Sequence, residues 1–264
     1  MQLWQVLALA VLEGLTEFVP VSSTGHLILA SRVLGLSGPA VDAFNVAVQL
    51  GALLAAVFYY RQTLWTTATG ALQRQPAALR LLQNLVLGAL PVLALGYLLR
   101  RVIKQHLFGP RPVVAALFVG GVVMLALDLW RRRRPGPLGS AAELSAPRAL
   151  AVGLVQALAL WPGTSRSMAS IAGGQLVGLR NAPAADFAFL LAIPTLGAAT
   201  LYELIKERAV LVETVGTGPL LLGLAISFAV GLGVIAGFLR YLRRFGLWAF
   251  GLYRIAVAAL LLLL

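Results

Sequence analysis

The sequence predicts an all-α integral membrane protein, with six spanning helices plus two re-entrant helix hairpins arranged as inverted-topology repeats. Three observations lead there. The 264 residues are 60% hydrophobic and 11% charged, with a mean hydropathy of +0.90, so the chain cannot cover itself with polar surface and lipid must be its solvent. Six apolar runs have the length a bilayer asks for. Two further runs are broken by knots of polar residues, and the second knot repeats the first at an offset of 143 residues, Ser22 falling on Ser165.

The first stretch, about 2–34, is apolar up to Glu13 and is then interrupted by Gly, Pro and Ser, which divides it into two short helices. Met1 to Leu12 has no basic n-region and meets Glu13 without a small-residue cleavage site, so it reads as part of the fold and not as a cleavable signal. Spanning helices, each needing roughly 20 apolar residues, are expected at 42–60, 79–99 and 113–130. A polar linker, Arg131 to Ser140, follows. The second interrupted stretch is 149–179, and three more spans are expected at 184–203, 217–240 and 247–264. The chain is thus one membrane domain, 1–264, made of a first repeat 1–130, a basic linker 131–147 and a second repeat 148–264.

Backbone released by a break survives inside a bilayer when it is buried in protein or lines a wet cavity, so both interrupted stretches read as re-entrant hairpins. The offset of 143 pairs Leu15 with Leu158, Phe18 with Trp161 and Thr24 with Ser167, and continues through Phe44 with Phe187, Leu53 with Leu196 and Tyr59 with Tyr202. Shared Ala/Leu composition is the plain alternative for part of this match. A hairpin plus three spans is an odd number of crossings, so the second half inserts upside down and the two hairpin tips meet near the midplane.

The formal charge of +12 and pI of 11.3 do not point to nucleic acid, because the cations sit between apolar runs, where loops face anionic lipid. In this layout Arg61, Arg74, Arg80, Arg131 to Arg134, Arg148, Arg180, Arg240, Arg243 and Arg244 share one side, twelve in all. The other side holds seven: Arg32, Arg100, Arg101, Lys104, Arg111, Lys206 and Arg208. The richer side is expected to be cytoplasmic, with both termini and the mouth of the first hairpin extracytoplasmic. Without cysteine there is no disulfide and no Cys-ligated metal.

The two knots carry the chemistry. In Glu13 to His26, Glu13 and Glu17 are spaced i, i+4 and project from one helical face. Two carboxylates side by side in low dielectric repel, so one is protonated or a cation bridges them; an ion pair that merely holds the bundle is the bland alternative. Ser22, Ser23 and Thr24 follow, and each could attack, cap a helix or contact phosphate. His26 is placed to give or take a proton. In the second knot Pro162 and Gly163 force a turn, and the new helix N-terminus presents amides that attract anions. Arg166 adds a fork of donors matched to phosphate oxygens, and Ser165, Ser167 and Ser170 add neutral hydrogen bonds. Elsewhere, Pro91 and Pro194 read as helix kinks, His106 as a loop residue without a role, and Asp42 and Asp186 as carboxylates suited to helix starts. Arg254, inside the last span, reads as a pairing or snorkelling cation.

These residues resemble a known family. Glu13-Gly14-Leu15-Thr16-Glu17-Phe18-Val19-Pro20-Val21-Ser22-Ser23-Thr24-Gly25-His26 is similar to the glutamate-rich signature of bacterial undecaprenyl-diphosphate phosphatases of the bacitracin-resistance type. Leu160-Trp161-Pro162-Gly163-Thr164-Ser165-Arg166-Ser167 resembles their second signature, and the likeness covers nearly the whole chain. Ser170 stands where the family pattern has a threonine, and Met168, where it has a glycine, is expected to narrow the pocket. The resemblance implies an inner-membrane enzyme that removes the terminal phosphate of a C55 polyprenyl diphosphate and so recycles the carrier lipid for cell-wall synthesis. It implicates Glu13, Glu17, Ser23, His26 and Arg166 in catalysis, and a divalent cation, Mg²⁺ or Ca²⁺, as a helper held by Glu13 and Glu17. The nucleophile is left open between Ser23 and water. A lipid-phosphate flippase is the rival reading, since inverted repeats with broken helices are also a transporter plan.

Overall fold

The computed structural model describes every residue except 108, 135, 207 and 264, and the side chains of all but those and 104, 110, 212 and 263. Pro135 of the expected linker, Leu264 of the last expected span and the side chain of Lys104 therefore lie outside the described residues. The chain folds into helices α1 (Leu3–Thr16), α2 (Ser23–Val33), α3 (Pro39–Tyr59), α4 (Arg61–Leu72), α5 (Pro76–Leu98), α6 (Arg100–His106), α7 (Pro110–Arg133), α8 (Ala146–Gln156), α9 (Arg166–Leu176), α10 (Asn181–Lys206), the short turn α11 (Arg208–Val210), α12 (Thr217–Arg244) and α13 (Trp248–Leu263). A 3-10 turn, Ala157–Leu160, extends α8, and a π turn, Leu211–Val215, precedes α12. Among the described residues extended pairing is confined to one isolated bridge, Leu138 with Leu179.

Among the described residues five helices, α3, α5, α7, α10 and α12, are long and apolar enough to cross a membrane. Four of the helices, α3, α5, α7 and α8, open on a proline in the first turn, where its missing N–H costs nothing. Within the last expected span α13 has 16 described residues, Trp248–Leu263, about 24 Å at 1.5 Å per residue. Three loop expectations are also corrected. Residues 61–72, read as a connection, form α4; His106 ends helix α6; and the linker starts three residues later than expected because Arg131 to Arg133 form the last turn of α7, where cations complement the helix dipole. Pro91 and Pro194 both lie inside helices, α5 and α10.

Each interrupted stretch is helix, break, helix. The second helices, α2 and α9, have 11 residues each and begin 143 residues apart. Both start from a serine in the left-handed region, Ser22 at φ 75° and Ser165 at φ 74°. Both end on a left-handed glycine, Gly35 at φ 66° and Gly178 at φ 107°. The closing hydrogen bonds correspond as well: Leu36 N donates to Ser31 O at 2.7 Å, and Leu179 N to Gly174 O at 2.9 Å, a C-terminal lock that needs the glycine's freedom of φ.

Packing crosses between the halves: α1 lies along α12, α8 along α5, and α3 against both α12 and α10, while α7 pairs with α13. Small residues set these approaches, as they do wherever apolar helices gain nothing by hiding from lipid. A Cβ at Gly51 would stand 2.4 Å from the Leu224 carbonyl oxygen, and one at Gly153 2.4 Å from that of Gly88. At Gly233 and Gly237, in α12, a Cβ meets nothing within 4 Å. Gly51→Ala and Gly153→Ala should each destabilise the protein by about 1–3 kcal/mol, the usual cost of overpacking, with a lowered thermal midpoint in detergent. Gly233→Ala and Gly237→Ala should stay within about 0.5 kcal/mol; equal losses at all four sites would contradict this packing.

Candidate active site

The last turn of α1 keeps helical geometry through Glu17, whose N–H donates to the Glu13 carbonyl at 3.0 Å, so both carboxylates share one face. Glu13 is fully buried, and neither of its carboxylate oxygens has a hydrogen-bond partner among the described residues. After Val21 the chain turns through the left-handed Ser22, a conformation that costs a non-glycine residue of order 1–3 kcal/mol and that the following helix holds in place. Ser22 Oγ accepts from Gly25 N–H at 3.4 Å and so caps α2. Ser23, the first residue of α2, donates its hydroxyl to Glu17 Oε2 at 2.5 Å.

The second knot mirrors this construction. At Gly163 φ is 96° and an added Cβ would stand 2.5 Å from the Val113 carbonyl oxygen, so the turn admits only glycine. Ser165 Oγ caps α9 by accepting from Met168 N–H at 3.3 Å. Arg166, the first residue of α9, directs Nη2 to Glu17 Oε1 at 3.2 Å and Nη1 to the Ala188 carbonyl at 3.3 Å. Its buried Nε has no partner among the described residues.

Three ties bring the knots together. Beyond the Glu17–Arg166 pair, Ser167 Oγ donates to the Val19 carbonyl at 3.1 Å. The third is Arg254 of α13, which is fully buried. Its Nη1 donates to the Pro20 carbonyl at 3.3 Å, its Nη2 to those of Gly163 at 2.8 Å and Ala116 at 2.9 Å, and its Nε to that of Leu117 at 3.3 Å. One guanidinium thus clamps the first knot, the second knot and α7. The expectation of a pairing or snorkelling residue is corrected: among the described residues Arg254 has no carboxylate partner, and its charge is spread over four carbonyl dipoles.

Between the knots lies a cavity of about 110 Å³ lined by Glu17, Ser22, Ser23, Thr24, Gln49, Ala159, Pro162, Gly163, Ser165, Arg166 and Leu196. Seven of the expected site residues therefore face one space: Glu17, Ser22, Ser23, Thr24, Gly163, Ser165 and Arg166. Four do not. Glu13 lies behind Glu17. Ser167 turns to Val19, and Ser170 Oγ lies 2.7 Å from Gln156 Oε1 and 2.9 Å from the Arg166 carbonyl, fully buried. His26 is not among the lining residues; its Nδ1 lies 2.8 Å from the Ser22 carbonyl and its Nε2 2.7 Å from the Tyr253 hydroxyl. Met168 does not narrow the cavity, because its side chain packs towards Gly120 of α7.

Gln49, Tyr253 and Arg254 were not expected at the site. Gln49 carried a signal, a neutral amide deep in an apolar run, and so did Arg254, a charge inside the last span; which backbone each would meet was not readable locally. Larger cavities, about 780 and 520 Å³, open around Asp186 near the start of α10 and are lined by residues such as Arg180, Arg243 and Thr63. They lack the carboxylate, hydroxyl and guanidinium grouping.

The carboxylates can hold a divalent cation in one way. Among the described residues no three His, Asp or Glu side chains cluster, so an all-protein cage is absent there. A small hard cation commonly takes one or two carboxylates and completes its shell with phosphate oxygens and water. The two unpartnered oxygens of Glu13 suit that arrangement.

Fold and site together define a multi-pass, all-helical membrane protein with a small cavity lined by a carboxylate, hydroxyls and a guanidinium. Residues 6–260 match the family described as bacitracin resistance protein BacA, and the chain belongs to that family. It is 54% identical over 256 residues to an undecaprenyl-diphosphatase of Sorangium cellulosum, covering 96% of this chain and 83% of the relative. An undecaprenyl-diphosphatase of Sphingopyxis alaskensis is 41% identical over 252 residues (96% and 94%), and one of Azotobacter vinelandii 41% over 267 (100% and 95%).

Because Arg254 satisfies four carbonyls at once, Arg254→Met should leave buried acceptors unmet at about 1–3 kcal/mol each. Arg254→Lys should rescue it poorly, since an ammonium lacks the planar fork. Thermal unfolding in detergent checks this, and Arg254→Met with a wild-type midpoint would contradict the clamp.

Proposed function

We propose that this chain is an undecaprenyl-diphosphatase, an integral membrane enzyme that hydrolyses undecaprenyl diphosphate to undecaprenyl phosphate and inorganic phosphate. The observation that carries the reading is the junction of Glu17, Ser23 and Arg166 in one cavity, in a chain whose relatives bear that enzyme's name. A flippase needs the cation and the acids, but it has no use for a hydroxyl held 2.5 Å from a carboxylate.

Arg166, with the first amides of α2 and α9, holds the diphosphate; the Arg166–Glu17 pair gives way as phosphate oxygens replace the carboxylate. Glu17 accepts the Ser23 proton as general base. Ser23 Oγ bonds to the terminal phosphorus while the bond from that phosphorus to the bridging oxygen breaks, and the leaving oxygen departs on the lipid monophosphate. Water then cleaves the phosphoserine, releasing inorganic phosphate and returning the proton to Ser23. His26, on the first turn of α2 beside Ser22 and Ser23, shuttles protons. Glu13, with Glu17 as second ligand, would hold a divalent cation, which when bound would supply positive charge to the diphosphate oxygens.

The architecture proposed with this function has α13 as a sixth span and the pairs α1–α2 and α8–α9 as re-entrant hairpins. Repeats 1–130 and 148–264 are inverted about the linker. The matched serine starts and glycine ends of α2 and α9 support the repeat, as does the exchange of partners by α1 and α8. The arginine-rich side faces the cytoplasm of a bacterial inner membrane, and the site opens to the extracytoplasmic side.

Phosphate release by the purified protein in detergent tests the assignment, since no gradient exists there to drive transport. Arg166→Ala and Glu17→Gln should each lower kcat/KM by about 10²–10³-fold, the loss seen when one preorganised charge contact is removed. Gln49→Ala should raise KM by about fivefold, the worth of one hydrogen bond. Wild-type protein without phosphate release, or Arg166→Ala with an unchanged rate, would overturn the reading. A chelator should abolish release and Mg²⁺ or Ca²⁺ restore it; indifference to chelation would remove the cation. Ser23→Ala retaining wild-type turnover would transfer the attack to water.

A further inference from the structure

We infer that Tyr253 is a positioning residue for His26: its hydroxyl meets Nε2, the one ring nitrogen that the Ser22 carbonyl leaves free to exchange protons, and holds the imidazole in place in either charge state. The inference rests on the reading of His26 as a proton carrier. Nδ1 lies 2.8 Å from the Ser22 carbonyl, which can only accept, so Nδ1 carries a hydrogen whether the ring is neutral or charged. Exchange is thereby confined to Nε2, and Nε2 lies 2.7 Å from the Tyr253 hydroxyl. A phenol both donates and accepts: it donates to the neutral ring and, by rotating its O–H, accepts from the imidazolium. Tyr253 therefore serves both protonation states without moving its ring.

The contact is fixed on every side. The two rings stack, with centroids 5.6 Å apart and planes 9° apart. His26 is held to the first turn of α2 by the same Ser22 whose hydroxyl caps that helix. Tyr253 precedes Arg254, whose four carbonyl bonds fix the rotation of α13 and so aim its neighbour, about 100° around the helix, at α2. Among the described residues no ion pair links His26 to a carboxylate, so orientation falls to a neutral phenol where other proton-carrying histidines use an acid.

The chain has two histidines, His26 and His106, so ¹⁵N-histidine NMR of the purified protein in detergent resolves the tautomer, with His106→Gln assigning the second signal. Wild type should show His26 with Nδ1 protonated and Nε2 as a hydrogen-bonded acceptor. Tyr253→Phe keeps the stacked ring and removes the hydroxyl. It should leave Nδ1 protonated, move the His26 Nε2 signal to that of an acceptor without its hydrogen bond, and lower kcat for phosphate release about fivefold to tenfold, the worth of one hydrogen bond, with KM unchanged. In a His26→Gln background the same substitution should add nothing. An unchanged His26 spectrum in Tyr253→Phe would overturn the inference, as would an equal loss of kcat in the His26→Gln background. Full activity of His26→Gln alone would instead remove the reading of His26 as proton carrier, and the NMR comparison would then decide the Tyr253 contact by itself.

Discussion

The structure depends on one constraint: the carboxylates of Glu13 and Glu17 and the guanidinium of Arg166 lie buried among apolar helices, where an unpaired charge is costly. Glu17 and Arg166 meet that constraint by facing each other at 3.2 Å. They come from opposite halves of the chain, so the pairing also decides which loops touch. Once the pair is formed, the turns at Pro20 and Gly163 are neighbours and their freed carbonyls need donors. Arg254 supplies them. The buried ion pair is therefore no argument for extra stability, since desolvation offsets much of its attraction; it specifies which arrangement forms.

The same arrangement carries the chemistry. A left-handed serine begins each of the two helices, with the residue after it facing the cavity: Ser23 in one half, Arg166 in the other. The same backbone device, occurring twice, places a hydroxyl and a cation on either side of a small space. Glu17, which follows the last residue of α1, is hydrogen-bonded to both. Charge on an entering diphosphate would displace the carboxylate from the guanidinium and leave Glu17 beside the Ser23 proton. That is a change of partners among groups already in place, which keeps reorganisation small.

Much of this was legible in the chain. The polar knots were visible because ionisable residues are rare in apolar runs, and the offset between Ser22 and Ser165 was visible because the turn chemistry of both helices is local. Glu13 and Glu17 shared a face as their spacing required. What escaped had non-local causes. Whether Ser170 meets phosphate or Gln156 is set by how α9 rotates against α8, and Met168 was aimed at α7 by the same rotation. The partners of Arg254 are carbonyls from three separated segments, which no sequence pattern reports. Gln49 and Tyr253 became site residues only when α3 and α13 were placed.

The central claim, that the two knots enclose a single diphosphate site, is tested most directly by an experimental structure of the protein with a non-hydrolysable polyprenyl diphosphonate bound. The account predicts the terminal phosphonate between the Arg166 guanidinium and Ser23, with the prenyl chain leaving between helices into lipid. A head group found instead in the arginine-lined cavity around Asp186, with the space between Glu17, Ser23 and Arg166 unchanged, would contradict it.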